Sequence, residues 1–199
     1  MKTTRQSKSV PIERDPTESG VQVKTRLPVM QSVYDWLETF CLALSLMVFI
    51  FLFAFKYVTV DGTSMLNTLE DGQKLIITDL TDYGQGDIVV ICEPGNEKPL
   101  VKRIIATEGQ TVDIDFETWT VKVDGKALDE PYIRRMIGSP MKSYGFSGHA
   151  VVGKGCVFVM GDNRNGSTDS RVFGSIDKRN ILGKVVYRLL PVKSFGSVG

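Results

Sequence analysis

The sequence predicts a mainly β protein, an antiparallel β-barrel or sandwich tethered by one N-terminal transmembrane helix. Two observations carry that expectation. From Thr39 to Phe55 no residue is charged, and only Thr39 and Ser45 are not apolar. Beyond Lys56 the character changes: short β-branched runs recur, punctuated by Gly, Asp, Asn and Pro, with no long helical period. The chain has 199 residues, 42% of them hydrophobic and 24% charged, which suits one domain plus a smaller element and excludes wholesale disorder.

Residues 1–35 read as a disordered cytoplasmic tail. Up to position 30 they carry Lys2, Arg5, Lys8, Arg14, Lys24 and Arg26 against three acidic residues, with no apolar period. A basic excess beside a membrane span marks the cytoplasmic side. Residues 36–57 are the expected transmembrane helix. Its uncharged part spans roughly 26 Å at 1.5 Å per residue, the short end of what a bilayer requires. Glu38 and Lys56 bracket it, and Tyr34, Trp36 and Tyr57 sit where interfacial aromatics are favoured. A buried core helix is disfavoured because so small a chain could hardly cover a segment apolar all round.

Residues 58–199 are then the extracytoplasmic domain. Strands are expected at Lys74–Thr78, Asp87–Cys92, Leu100–Thr107, Thr111–Phe116, Trp119–Val123, Cys156–Met160 and Leu182–Leu190. Asp124-Gly125 supplies a two-residue hairpin turn into Lys126–Leu128, because glycine tolerates the positive φ required. Residues 131–150, rich in Gly and Pro with scattered basic side chains, read as a long loop or insertion.

Inventory removes several function classes. With 24 basic and 23 acidic residues the net charge is +1, without the basic excess of a nucleic-acid binder. Cys41, Cys92 and Cys156 are widely spaced and the only histidine is His149, so no zinc site is available. A Cys92–Cys156 disulfide stays open. A Ser-His-Asp enzyme would depend on His149, which lies in a Gly148-His149 loop segment with no triad pattern around it.

Three stretches stand out: Val60–Leu69 with Gly62-Thr63-Ser64-Met65, Leu100–Ala106 with Lys102-Arg103, and Val159–Arg171 with Gly161-Asp162-Asn163-Arg164 and Ser167. Each has an ordinary explanation. Ser64 is a fitting turn serine, Lys102 a solvated strand lysine, and the third run a loop whose polar side chains satisfy its own backbone. In their order and spacing after a membrane helix, however, they resemble bacterial type I signal peptidases, membrane-anchored Ser-Lys proteases. Those motifs run S-M-x-P-[ST]-L, V-K-R-I-I-G and G-D-N-R-x-x-S-x-D-S-R. Ser64-Met65 with Leu69, Val101-Lys102-Arg103 and Gly161–Arg171 stand in those places.

The resemblance implies that Ser64 is the nucleophile and Lys102 its general base, with no metal or cofactor. A serine hydroxyl needs a base, and lysine serves only when desolvation brings its pKa down. Val101, Ile104 and Ile105 promise such a setting, and strand alternation puts Lys102 and Ile104 on one face with Arg103 outward toward charged partners. The resemblance further implies that Ser167 hydrogen-bonds the Lys102 amine, that Asp162, Asp169 and Arg171 hold the loop as an ion-pair cluster, and that the Ser64 N–H donates to the oxyanion. Val58, Val60, Met65, Leu69 and Val101 are the expected walls of small apolar pockets, selecting exported preproteins cut after Ala-x-Ala at the surface of the lipid bilayer. The chain departs from the pattern at three positions. Gly62 offers no second oxyanion hydroxyl, Asn67 replaces the proline and is expected to loosen the following strand, and Ala106 replaces a glycine. The rival readings are a non-cleaving membrane-anchored domain acting in binding or pilus assembly, and a Ser-Lys self-cleaving repressor, which needs a DNA-binding module that is not visible.

Overall fold

The computed structural model describes residues 28–93 and 98–198. Residues 1–27 of the expected tail lie outside the described residues, and residues 28–35, expected as part of it, are helical instead. By its internal contacts the chain divides into Met1–Leu46 and Met47–Gly199. Helix α1, Pro28–Ala54, supplies the described part of the first unit with its residues 28–46 and belongs to the second unit from Met47 on. Its segment Val29–Ala54 is long and apolar enough to cross a membrane. The two hydroxyls inside the apolar run satisfy themselves on the preceding turn, Thr39 Oγ1 on the Asp35 carbonyl at 2.8 Å and Ser45 Oγ on the Cys41 carbonyl at 2.7 Å.

The helix begins earlier and ends sooner than the expected 36–57. Gln31, Ser32, Asp35 and Glu38 bound the uncharged run but do not break a helix, so α1 extends back past them. At the other end the backbone turns to sheet pairing: Lys56 and Tyr57 open strand β1, Lys56–Thr59, against β2, Lys74–Thr78. Thr78 Oγ1 donates to the Ala54 carbonyl at 3.0 Å, satisfying one of the helix's terminal acceptors.

The second unit is antiparallel β throughout. After β2 come β3 (Ile88–Ile91), β4 (Leu100–Thr107), β5 (Thr111–Asp115), β6 (Thr120–Val123), β7 (Lys126–Ala127), β8 (His149–Val151) and β9 (Cys156–Met160). A one-turn helix α2 (Ser170–Phe173), β10 (Ile176–Asp177), β11 (Ile181–Leu190) and β12 (Gly196–Ser197) complete the chain. The larger sheet runs β1-β2-β11-β3-β4-β9-β10 with β12 on β11, and the smaller runs β7-β6-β5-β8. Asp124 and Gly125 both take positive φ, 51° and 78°, as the tight β6–β7 hairpin demands.

Between residues 131 and 148 no strand is formed, and β8 then pairs with β5. His149 is thus a strand residue, its Nδ1 2.6 Å from Asp113 Oδ1 on β5. All three cysteines are free, so Cys92 and Cys156 do not pair. Two buried clusters matter for the site. One joins Val60, Met65, Leu69, Leu75, Ile77 and Val101 under the chain that follows β1, and the other joins Ile105, Val112, Trp119, Ile133, Met141 and Phe158 between the sheets.

Candidate active site

After Val60 the chain leaves the sheet and coils back under itself. Gly72 N–H donates to the Val60 carbonyl and Gly62 N–H to Asp71 Oδ1, each within 2.9 Å. Leu69 N–H reaches the Met65 carbonyl at 2.8 Å, closing a helical turn. Met65 and Leu69 are wholly buried in the core beneath this turn, so the residue before Met65 is held at a fixed height above it. That residue is Ser64.

Strand β4 brings Lys102 to it. The Lys102 Nζ is 2.9 Å from Ser64 Oγ and also donates to the Val101 carbonyl at 3.0 Å. Only 1% of Lys102 is exposed. Burial pushes its pKa down from 10.5 to about 8, with Asp169, Asp162 and Glu93 pulling weakly the other way. Burial thus makes the uncharged amine far more accessible near neutral pH than in a solvated lysine, while the ammonium still predominates below about pH 8.

The third stretch packs against the serine from the far side. Asn163 N–H donates to the Ser64 carbonyl at 2.9 Å and its side-chain amide to the Thr63 carbonyl at 3.0 Å. Position 161 has to be glycine for this approach: a Cβ there would lie 2.6 Å from the Ser64 carbonyl oxygen and 2.3 Å from Ser167 Oγ. Ser167 is buried, and its hydroxyl has no hydrogen-bond partner. The expected bond from Ser167 to the Lys102 amine is therefore not made; the amine is taken up by Ser64 and Val101.

The expected single ion-pair cluster resolves into separate pairs. Asp169 holds Arg171 through both carboxylate oxygens at 2.8 Å, and also accepts from Gly161 N–H at 3.0 Å. Asp162 instead holds Arg103, with Nε and Nη2 at 3.0 and 2.8 Å, and accepts from Thr68 Oγ1. Arg103 is consequently not turned outward. It is 4% exposed, its guanidinium 3.9 Å over the Tyr132 ring, because β4 is an interior strand covered on both faces. A third buried pair, Arg164 with Glu130, closes the base of the loop. Sequence reading missed Thr68 and Glu130. Glu130 carries no local signal, being 34 residues from its partner.

An open groove runs from the end of β1 to the start of β4. Val58, Val60 and Val101 line it with Asp61, Asp71 and Lys98. Met65 and Leu69, expected as walls, do not line this groove and lie buried in the core beneath Ser64. Among the described residues no cluster of His, Cys, Asp and Glu could hold a metal ion.

The chain matches the family model described as signal peptidase, peptidase S26, over residues 33–190. It is 35% identical over 180 residues to a signal peptidase I of Bacillus caldolyticus, covering 81% of this chain and 92% of the relative. To a signal peptidase I of Bacillus licheniformis it is 36% identical over 171 residues, covering 80% and 90%. A signal peptidase IB of Staphylococcus aureus strain COL is 30% identical over 182 residues, covering 83% and 93%. With a match this long and relatives this completely covered, the chain belongs to the signal peptidase family, peptidase S26.

Proposed function

We propose that the chain is a Ser-Lys endopeptidase that removes signal peptides from exported preproteins after small residues. The observation that carries this is the buried Lys102 amine 2.9 Å from Ser64 Oγ. The neutral amine accepts the Ser64 proton as Oγ attacks the scissile carbonyl carbon. The tetrahedral intermediate collapses, the peptide C–N bond breaks, and the Lys102 ammonium returns its proton to the leaving nitrogen. Lys102 then deprotonates a water that attacks the ester, releasing the signal peptide carboxylate and restoring Ser64. The Ser64 N–H stabilises the oxyanion in both steps, a contribution of about 3 kcal/mol.

Ser167 orients the amine once substrate is bound; an orphaned buried hydroxyl at that place is otherwise an uncompensated cost. Asp162, Asp169 and Arg171 position the loop rather than react. The substrate adds as a strand along the edge of β1, with Val58, Val60 and Val101 shaping small pockets. Helix α1 spans the bilayer with the basic N-terminal residues on the cytoplasmic side, leaving the β domain outside. A non-cleaving binding domain is the weaker reading, since burying a lysine beside a serine costs stability and would return nothing to a scaffold.

Cleavage of a preprotein in detergent or lipid by wild type, Ser64→Ala and Lys102→Met tests the proposal. Both variants should lose turnover by several orders of magnitude while remaining folded. Full turnover in either removes the mechanism.

A further inference from the structure

Asn67, the residue standing where the first motif usually has proline, has φ +84°, in the left-handed region that asparagine tolerates better than most side chains. Proline, with φ held near −65°, cannot occupy that conformation. The left-handed residue bends the chain back within the turn that carries Ser64, and Thr68 and Leu69 N–H then return to the Met65 carbonyl at 3.0 and 2.8 Å. The side chain is engaged as well: Asn67 Nδ2 donates to the Ile133 carbonyl at 3.2 Å.

Ile133 is buried in the cluster between the two sheets, whereas Met65 and Leu69 belong to the other core. The Asn67 amide therefore joins the nucleophile turn to a separately packed body. The neighbouring bonds brace the same joint. Arg134 N–H donates to the Asp162 carbonyl at 2.8 Å, and the Asp162 carboxylate holds both Thr68 and Arg103, next to Lys102. Residues 67 and 68 thus fix the turn against residues 133 and 162, and through Arg103 against the strand that carries the amine.

We propose that Asn67 is a positioning residue, whose left-handed backbone and amide bond to Ile133 hold the Ser64 hydroxyl in register with the Lys102 amine. The inference rests on the reading of Ser64 as nucleophile. It reverses the expectation that asparagine loosens the chain here: in this protein asparagine is the residue that the turn requires.

The test uses the full chain in lipid–detergent micelles and an internally quenched peptide with an apolar segment ending in Ala-x-Ala. Asn67→Gly keeps the left-handed backbone without the amide, and Asn67→Asp keeps the shape without the donor. Asn67→Pro removes both features. The first two should lose about fivefold in kcat, the equivalent of one hydrogen bond of about 1 kcal/mol, with KM unchanged. Asn67→Pro should lose a hundredfold or more. Single-turnover acylation of titrated active sites should slow by the same factor, which a role in folding alone would not produce. Wild-type kcat in Asn67→Gly and Asn67→Asp overturns the inference, as does a loss confined to KM or to the fraction of titratable sites. Ser64→Ala serves as the control. If it still cleaves, the nucleophile reading fails; if it is dead while both Asn67 variants keep full kcat, only the present inference does.

Discussion

Lys102 Nζ lies 2.9 Å from Ser64 Oγ on a strand buried on both faces, so the amine is desolvated by the same packing that aims it at the hydroxyl. In the proposed mechanism, the titration of this amine sets the rate. The rate should accordingly rise with pH and reach half its plateau near pH 8, the pKa to which burial lowers the amine. Below that value the ammonium cannot accept the serine proton. A pH profile of kcat/KM with its midpoint near 10 would mean a solvated amine.

The same burial has a thermodynamic sign. The folded pKa of about 8 lies below the 10.5 of a solvated lysine, so between those pH values the unfolded chain binds the extra proton. Stability should rise with pH across that window and carry the full penalty below it, at most about 3 kcal/mol. Lys102→Met removes the ionisable group and keeps the bulk. Urea unfolding at pH 7 should therefore find the inactive variant more stable than wild type, with a flatter dependence on pH.

Gly161→Ala should cost both stability and turnover. The added Cβ would sit 2.6 Å from the Ser64 carbonyl oxygen, a backbone atom held by Asn163, and cannot be relieved by a rotamer change. A loss of about 1–3 kcal/mol in unfolding free energy is expected, with kcat down a hundredfold or more. Wild-type kinetics would show that the approach of the third motif is looser than it stands.

Breaking the Asp162–Arg103 pair with Asp162→Asn should destabilise the fold by about 3–5 kcal/mol, because a buried guanidinium is left with half its partner. The exposed pair Asp177–Arg179 is the control, and Asp177→Asn should leave the unfolding midpoint in place.

Enlarging Val58 or Val101 should separate binding from chemistry. Each lines the groove between β1 and β4. Val58→Trp should raise KM for a preprotein about tenfold or more while single-turnover acylation at saturating substrate stays within a few-fold of wild type. Unchanged KM would place the substrate elsewhere.

The long apolar helix, most of the strands and the Asp124-Gly125 hairpin can be read along the chain because each depends on local chemistry: an unbroken apolar run, β-branched spacing, a turn that needs positive φ. The order of Ser64, Lys102 and the Gly161–Arg171 stretch is likewise a property of the sequence. Arg103 shows where such reading ends. Alternation correctly separates it from Lys102 across β4, but only the strands on either side and Tyr132 above decide that the opposite face is also dry. The pairings Glu130 with Arg164, Thr68 with Asp162 and Asn67 with Ile133 join positions 34, 94 and 66 residues apart. Periodicity assigns a side chain to a face; what covers that face, and which distant partner meets it there, follows from how the sheets and loops pack.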